Sequence, residues 1–142
     1  ADMLGHVYGI DPVDGSIGWQ VRLDGPIWTS PAVADGRVFV GHSGGELVAL
    51  DVTDGSTLWR FQTVEVVRAS PLVVGPYVIV GTLAGKLYSL QVADGALVDR
   101  RDLTGGISIS PISDGERVYV ATEAGYIICF GEEHDQTQQV RK

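Results

Sequence analysis

Cysteine occurs once in the 142 residues, as Cys129, and methionine once. A lone cysteine cannot close an internal disulfide and says little about compartment. Long apolar runs are missing as well. No stretch of 18 residues could cross a bilayer as a helix, and no charged start followed by an apolar segment reads as a signal peptide. Basic residues are few, 10 Lys and Arg against 18 Asp and Glu, for a formal net charge of -8 and a pI near 4.6. That balance argues against nucleic acid, which needs clustered Lys and Arg, and no basic amphipathic segment offers membrane binding. Helical periodicity is absent, since no apolar stripe recurs at 3.6-residue spacing over a useful length. Enzyme signatures are absent too: there is no Gly-x-Ser-x-Gly and no His-Glu-x-x-His. His6, His42 and His134 have no metal-site spacing, and the Gly-rich "GHSGGEL" opens no helix that could cradle a phosphate.

What is present is a repeat. Gly5, Gly45, Gly85 and Gly125 align at a period of 40, as do Gly15, Gly55 and Gly95, and so do the pairs Ser30-Pro31, Ser70-Pro71 and Ser110-Pro111. Each period reads as four short segments rich in Val, Leu, Ile, Phe or Trp and bounded by Gly or Asp, the pattern of strands joined by tight turns. Asp35-Gly36 and Asp54-Gly55 supply the positive backbone angle and the self-bonding carboxylate such turns use. The Asp11/Asp14 and Asp51/Asp54 pairs are therefore read as turn residues rather than calcium ligands, since each offers only two carboxylates. A four-stranded meander cannot bury both of its faces, so the copies must stack, and 40 residues per unit points to propeller blades.

The segment "GELVALDVTDGSTLWRF" resembles a blade of the pyrroloquinoline-quinone-type propeller repeat family, whose tryptophan-docking motif runs Ala-x-Asp-x-x-x-Gly-x-x-x-Trp. Ala49, Asp51, Gly55 and Trp59 match it fully. Gly9, Asp11, Gly15 and Trp19 match with Gly for Ala, and Ser89, Gln91, Gly95 and Asp99 keep only the Gly. The resemblance implies that docking residues tie each blade to its neighbour, so a copy without Trp implies a weaker or differently packed junction. It also implies a periplasmic or extracellular setting. The best-known alcohol dehydrogenases of the family hold their quinone against an adjacent Cys-Cys disulfide, which a lone Cys129 cannot form. No cofactor and no catalytic residue are therefore expected.

The expected architecture is all-β, a partial β-propeller: a half blade at 5–23, blades at 27–63 and 67–103, an incomplete blade at 107–130, then a disordered tail at 132–142. That amounts to about three and a quarter blades, with no candidate for the missing fourth strand in the tail. Known propellers need at least four blades, so the open ends imply either the remaining blades of a larger propeller or a homodimer. Positions that vary between copies are free to recognise something, and the clearest column is Trp28, Arg68 and Ser108 at the start of each inner strand. Trp28 and Arg68 are types enriched at interface hot spots, although Trp28 could equally pack on the next blade. Further varying columns are His42, Thr82 and Thr122, then Glu46, Lys86 and Tyr126. The reading is a non-enzymatic scaffold or binding module with a protein partner, similar to assembly-factor propellers. The alternatives are a fragment of a quinoprotein dehydrogenase whose cofactor site lies elsewhere, or a chain that completes its ring by dimerising.

Overall fold

The computed structural model describes residues 1–131 and the backbone of 136–139. Among these, fourteen strands and no helix are found. The first sheet holds two strands, β1 (His6–Ile10) and β2 (Ile17–Arg22). Three four-stranded antiparallel meanders follow. The second blade is β3 (Ala32–Ala34), β4 (Arg37–His42), β5 (Glu46–Asp51) and β6 (Thr57–Gln62). The third is β7 (Leu72–Val74), β8 (Tyr77–Gly81), β9 (Lys86–Gln91) and β10 (Leu97–Asp102). The fourth is β11 (Ile112–Ser113), β12 (Val118–Ala121), β13 (Tyr126–Phe130) and β14 (Gln136–Gln139). In every four-stranded sheet the strands lie in sequence order, which makes the chain an unclosed row of propeller blades.

The fourth blade corrects the expected boundary at 130. Cys129 faces Gln136 and Tyr126 faces Gln139 across the β13–β14 pair, so the stretch anticipated as structureless supplies the outer strand. Ladder bonds join main-chain groups, and an edge strand needs few strand-forming side chains once its neighbour is in place. The rest of the anticipated tail lies outside the described residues.

The core is divided as stacked blades require, one cluster per junction. Val7, Val38, Val40, Val48 and Leu50 fill the first, with Trp19 and Val21 against them. Phe39, Leu47, Ala49, Val78, Val80, Tyr88 and Leu90 fill the second. Ile79, Leu87, Ile107, Val118 and Val120 fill the third. The middle strands β4 and β5 are buried on both faces because each has a blade on either side. Cys129, expected as a small buried hydrophobe, is only half-buried. Its register partners place it on the blade face turned away from the third core, beside Tyr119 and opposite the buried Ile128.

The Ser-Pro pairs perform a task their repetition did not reveal. Ser30 N–H donates to Ser70 Oγ at 2.8 Å and Ser70 N–H to Ser110 Oγ at 3.0 Å, so a ladder with the same 40-residue step links the inner strands of three blades. Replacing Ser70 with Ala leaves the Ser30 amide without that acceptor. The expected loss is about 1 kcal/mol in urea unfolding at an unchanged slope.

Candidate functional site

The two tryptophans of the repeat sit at the outer edge of a blade and reach into the next. Trp19 on β2 donates its indole N–H to Val52 O at 3.0 Å, and Trp59 on β6 donates to Val92 O at 3.1 Å. Each ring lies flat over a turn glycine. A Cβ on Gly55 would stand 2.5 Å from Trp19 Cε3, and one on Gly95 2.6 Å from Trp59 Cε3. The glycine of the motif is therefore required twice, for its positive φ of 74° and for the ring above it. Gly9, where the motif has Ala, lies under Trp19 as well, with a Cβ coming within 2.3 Å of the indole. At the second junction Ala49 is opposite Trp59 in register, and Phe39 meets that indole at 5.7 Å between centroids.

The aspartates of the motif bond their own turns. Asp11 Oδ1 accepts from Val13 N–H at 2.8 Å and Asp51 Oδ1 from Thr53 N–H at 2.8 Å. The Thr53 hydroxyl and amide hold the Asp51 carboxyl below its ordinary range. Among the described residues no three metal-ligating side chains come together.

The opposite ends of the strands carry the turns between β4 and β5, β8 and β9, and β12 and β13, and the loops that lead from one blade to the next. Here Trp28 and Arg68, 40 residues apart, are brought together. The Arg68 guanidinium lies 5.6 Å from the Trp28 ring centroid, while Trp28 remains 50% exposed. Trp28 thus both touches the next blade and faces solvent. Among the described residues Arg68 makes no ion pair, whereas Arg60 pairs with Asp24 and Glu46 and Arg100 pairs with Asp102. Ser108 is half-buried at the equivalent point of the fourth blade, and no contact joins it to the other two.

The further columns are internal rather than open. His42 is fully buried; its Nδ1 accepts from Gly44 N–H at 3.0 Å and its Nε2 faces Glu46 Oε2 at 3.2 Å. That arrangement puts the proton on Nε2. Glu46 accepts in addition from Arg60 at 3.0 Å and from Gln62. In the third blade Thr82 Oγ1 accepts from Lys86 N–H at 3.2 Å, and Lys86 Nζ lies 3.3 Å from Asp102. Each of these two pairs braces its own turn, whereas in the fourth blade Thr122 Oγ1 is buried without a hydrogen-bond partner among the described residues and Tyr126 is half-buried.

The comparisons with known proteins bear on the whole of this arrangement. The family model described as outer membrane protein assembly factor BamB matches residues 1–141. The chain belongs to that family. BamB of Moraxella catarrhalis is 26% identical with a TM-score of 0.84, over 94% of this chain and 42% of that one. The chain therefore spans less than half the length of that BamB. A europium-containing methanol dehydrogenase matches at 24% identity and TM-score 0.60, over 67% of this chain and 21% of that one. The computationally designed Ika4 protein matches at 14% identity and TM-score 0.83, over 91% and 81%. These last two likenesses show a shared fold. No curated protein matches the chain.

Proposed function

We propose that this chain is a non-enzymatic, BamB-like propeller scaffold that docks a protein partner through Trp28 and Arg68. The observation that carries the reading is the Arg68 guanidinium stacked on a half-exposed indole and bound to no carboxylate among the described residues. On a chain of net charge -8, an oriented and unneutralised arginine is a place for an acidic group of a partner to land, beside apolar ring surface. The partner is a component of outer-membrane protein assembly, by analogy with the family. The quinoprotein reading has a shared fold behind it and no feature of this chain's own.

The test is photo-crosslinking from position 68, followed by affinity measurement with the captured partner. Trp28→Ala and Arg68→Ala are each expected to weaken binding about 30-fold, the effect of a 2 kcal/mol hot spot. Both are exposed, so unfolding free energy is expected to stay within about 0.5 kcal/mol. Parent-like affinity in both variants would refute the assignment.

A further inference from the structure

Asp-Gly pairs punctuate the chain at Asp14, Asp24, Asp35, Asp54, Asp94 and Asp114. In such a pair the glycine amide nitrogen can attack the aspartate carboxyl carbon, because no Cβ shields it. Whether it does so depends on what holds the two groups. At four of the pairs both are held. The amides of Gly15, Gly55 and Gly95 donate to Asp11 O, Asp51 O and Gln91 O, each at 2.9 Å, and Gly115 N–H donates to Ser113 Oγ at 2.9 Å. The carboxylates of Asp14, Asp54, Asp94 and Asp114 accept from the amides of Ser16, Ser56, Ala96 and Glu116. At a fifth pair Asp24 is bound to Arg60 at 3.3 Å, and Gly25 is wedged so that a Cβ would stand 2.7 Å from Gly44 N.

Asp35 and Gly36 differ from all of these. They form the tight turn between β3 and β4, with φ of 49° and 71°. Both are exposed, and a Cβ on Gly36 would meet nothing within 4 Å. The Asp35 carboxylate, expected to bond its own turn, has no hydrogen-bond partner among the described residues, and neither has Gly36 N–H. One group of the turn is engaged in a way that favours reaction: the Arg37 guanidinium donates to Asp35 O at 2.9 Å. When the Gly36 amide gives up its proton, the peptide unit spreads the negative charge onto that oxygen. A cation bonded there stabilises the nucleophilic form.

We propose that Asp35 and Gly36 are a site of spontaneous isoaspartate formation, promoted by Arg37. Gly36 N forms a bond to Asp35 Cγ, while the amide hydrogen and the carboxyl hydroxyl leave as water. A water molecule then opens the cyclic imide. Attack at Cγ restores aspartate, whereas attack at the main-chain carbonyl carbon leaves isoaspartate, with the chain running through Cγ. Water lost and water regained balance, and no oxidant or cofactor enters. The product carries an extra methylene in the main chain between Ala34 and Arg37, which are register partners, and beside Gly36 O, which accepts from Val52 N–H at 3.0 Å. Isoaspartate therefore loosens the inner hairpin of the second blade.

The test is incubation of the full chain at physiological temperature and neutral pH for several weeks. Tryptic digestion and electron-transfer fragmentation then distinguish aspartate from isoaspartate at each position. Each hydrogen bond that must break first slows ring closure about fivefold. Asp35 is accordingly expected to convert at least about tenfold faster than Asp14, Asp54, Asp94 or Asp114, and faster than Asp24. Arg37→Gln, which keeps a donor and removes the charge, is expected to slow conversion at Asp35 about threefold or more and to leave the other positions unchanged. Its urea midpoint checks that the fold is kept. Asp35→Asn closes the same ring with ammonia as the leaving group, and is expected to deamidate faster than the parent isomerises. Conversion at Asp35 no faster than at the four held pairs or at Asp24 would overturn the proposal. So would an undiminished rate in Arg37→Gln, or an Asp35→Asn variant that keeps its amide.

Discussion

Trp59→Ala is expected to lower the unfolding free energy by about 3 kcal/mol, at the lower edge of the range for aromatic truncations in cores because the ring is half-buried. Three losses combine. The indole N–H gives up Val92 O, Phe39 loses its tilted ring partner, and the space over Gly95 is emptied. A domain of this size has about 5–15 kcal/mol to lose, so one ring carries a large share of it. Trp59→Phe separates the terms, since it keeps most of the apolar contact and forfeits the hydrogen bond, for about 1 kcal/mol plus a smaller packing loss. Gly95→Ala supplies the reciprocal probe. In the parent it drives a methyl to 2.6 Å from the indole, whereas in the Trp59→Ala background only the backbone penalty of about 1–2 kcal/mol at positive φ remains. The two substitutions should therefore be strongly non-additive in a double-mutant cycle. Urea midpoints at constant slope measure all four corners, and simple additivity would show that ring and glycine do not act together.

The parts of this fold that were legible in sequence are those written in side chains. The period of 40, the strand limits and the turn glycines follow from alternating apolar residues and from backbone angles that only certain residues tolerate, as at Gly55 and Gly95. That Trp59 lies over Gly95 of the next copy was not visible in this way: the family resemblance implied only that docking residues tie a blade to its neighbour, and the contact itself comes from the structure. Main-chain interactions were not visible. β14, with the sequence Gln-Thr-Gln-Gln, is held by ladder bonds to β13, and such bonds leave little mark on composition. The serine ladder was visible as a conserved spacing within the chain but not as a contact, because the amide it satisfies belongs to another blade.

The candidate site divides in the same way. Trp28, Arg68 and Ser108 could be selected as a column that varies, yet only the structure shows that two of the three meet and the third stands apart. His42 and Glu46 were selected on the same argument and prove to bond each other in a buried position. Variation between copies marks freedom from the common blade pattern, and at His42 and Glu46 that freedom is used for a local brace. The missing Trp at position 99 was legible as a weaker or differently packed junction, whereas the groove there, lined by Ile79 and Val118, depends on how far the neighbouring blade closes in.

Gly85→Ala is expected to cost about 3 kcal/mol, from left-handed strain of about 1–2 kcal/mol together with an overpacking term of about 2 kcal/mol, less the small entropic return of an alanine. Gly85 closes the turn between β8 and β9 at a φ of +81°. Its N–H donates to Thr82 O at 3.0 Å and its carbonyl accepts from Leu103 N–H at 2.8 Å. A Cβ built there stands 2.5 Å from Leu103 O and 2.7 Å from Gly105 O. Both obstacles are main-chain oxygens on the loop leading to the fourth blade, so no rotamer change relieves them, and moving the loop breaks the bond that Leu103 makes to Gly85. The stiffer unfolded chain of an alanine returns only about 0.4–1 kcal/mol. Gly75→Ala is the matched control: its φ is +53°, but nothing lies within 4 Å of the added methyl. That variant is expected to cost about 1 kcal/mol, the strain alone less the entropic return. A difference of about 2 kcal/mol or more between the two, read from urea unfolding, would show that the turn is clamped by the loop it touches. Equal losses would mean that the loop yields to the methyl, and that the junction between the third and fourth blades is softer than its hydrogen bonds imply.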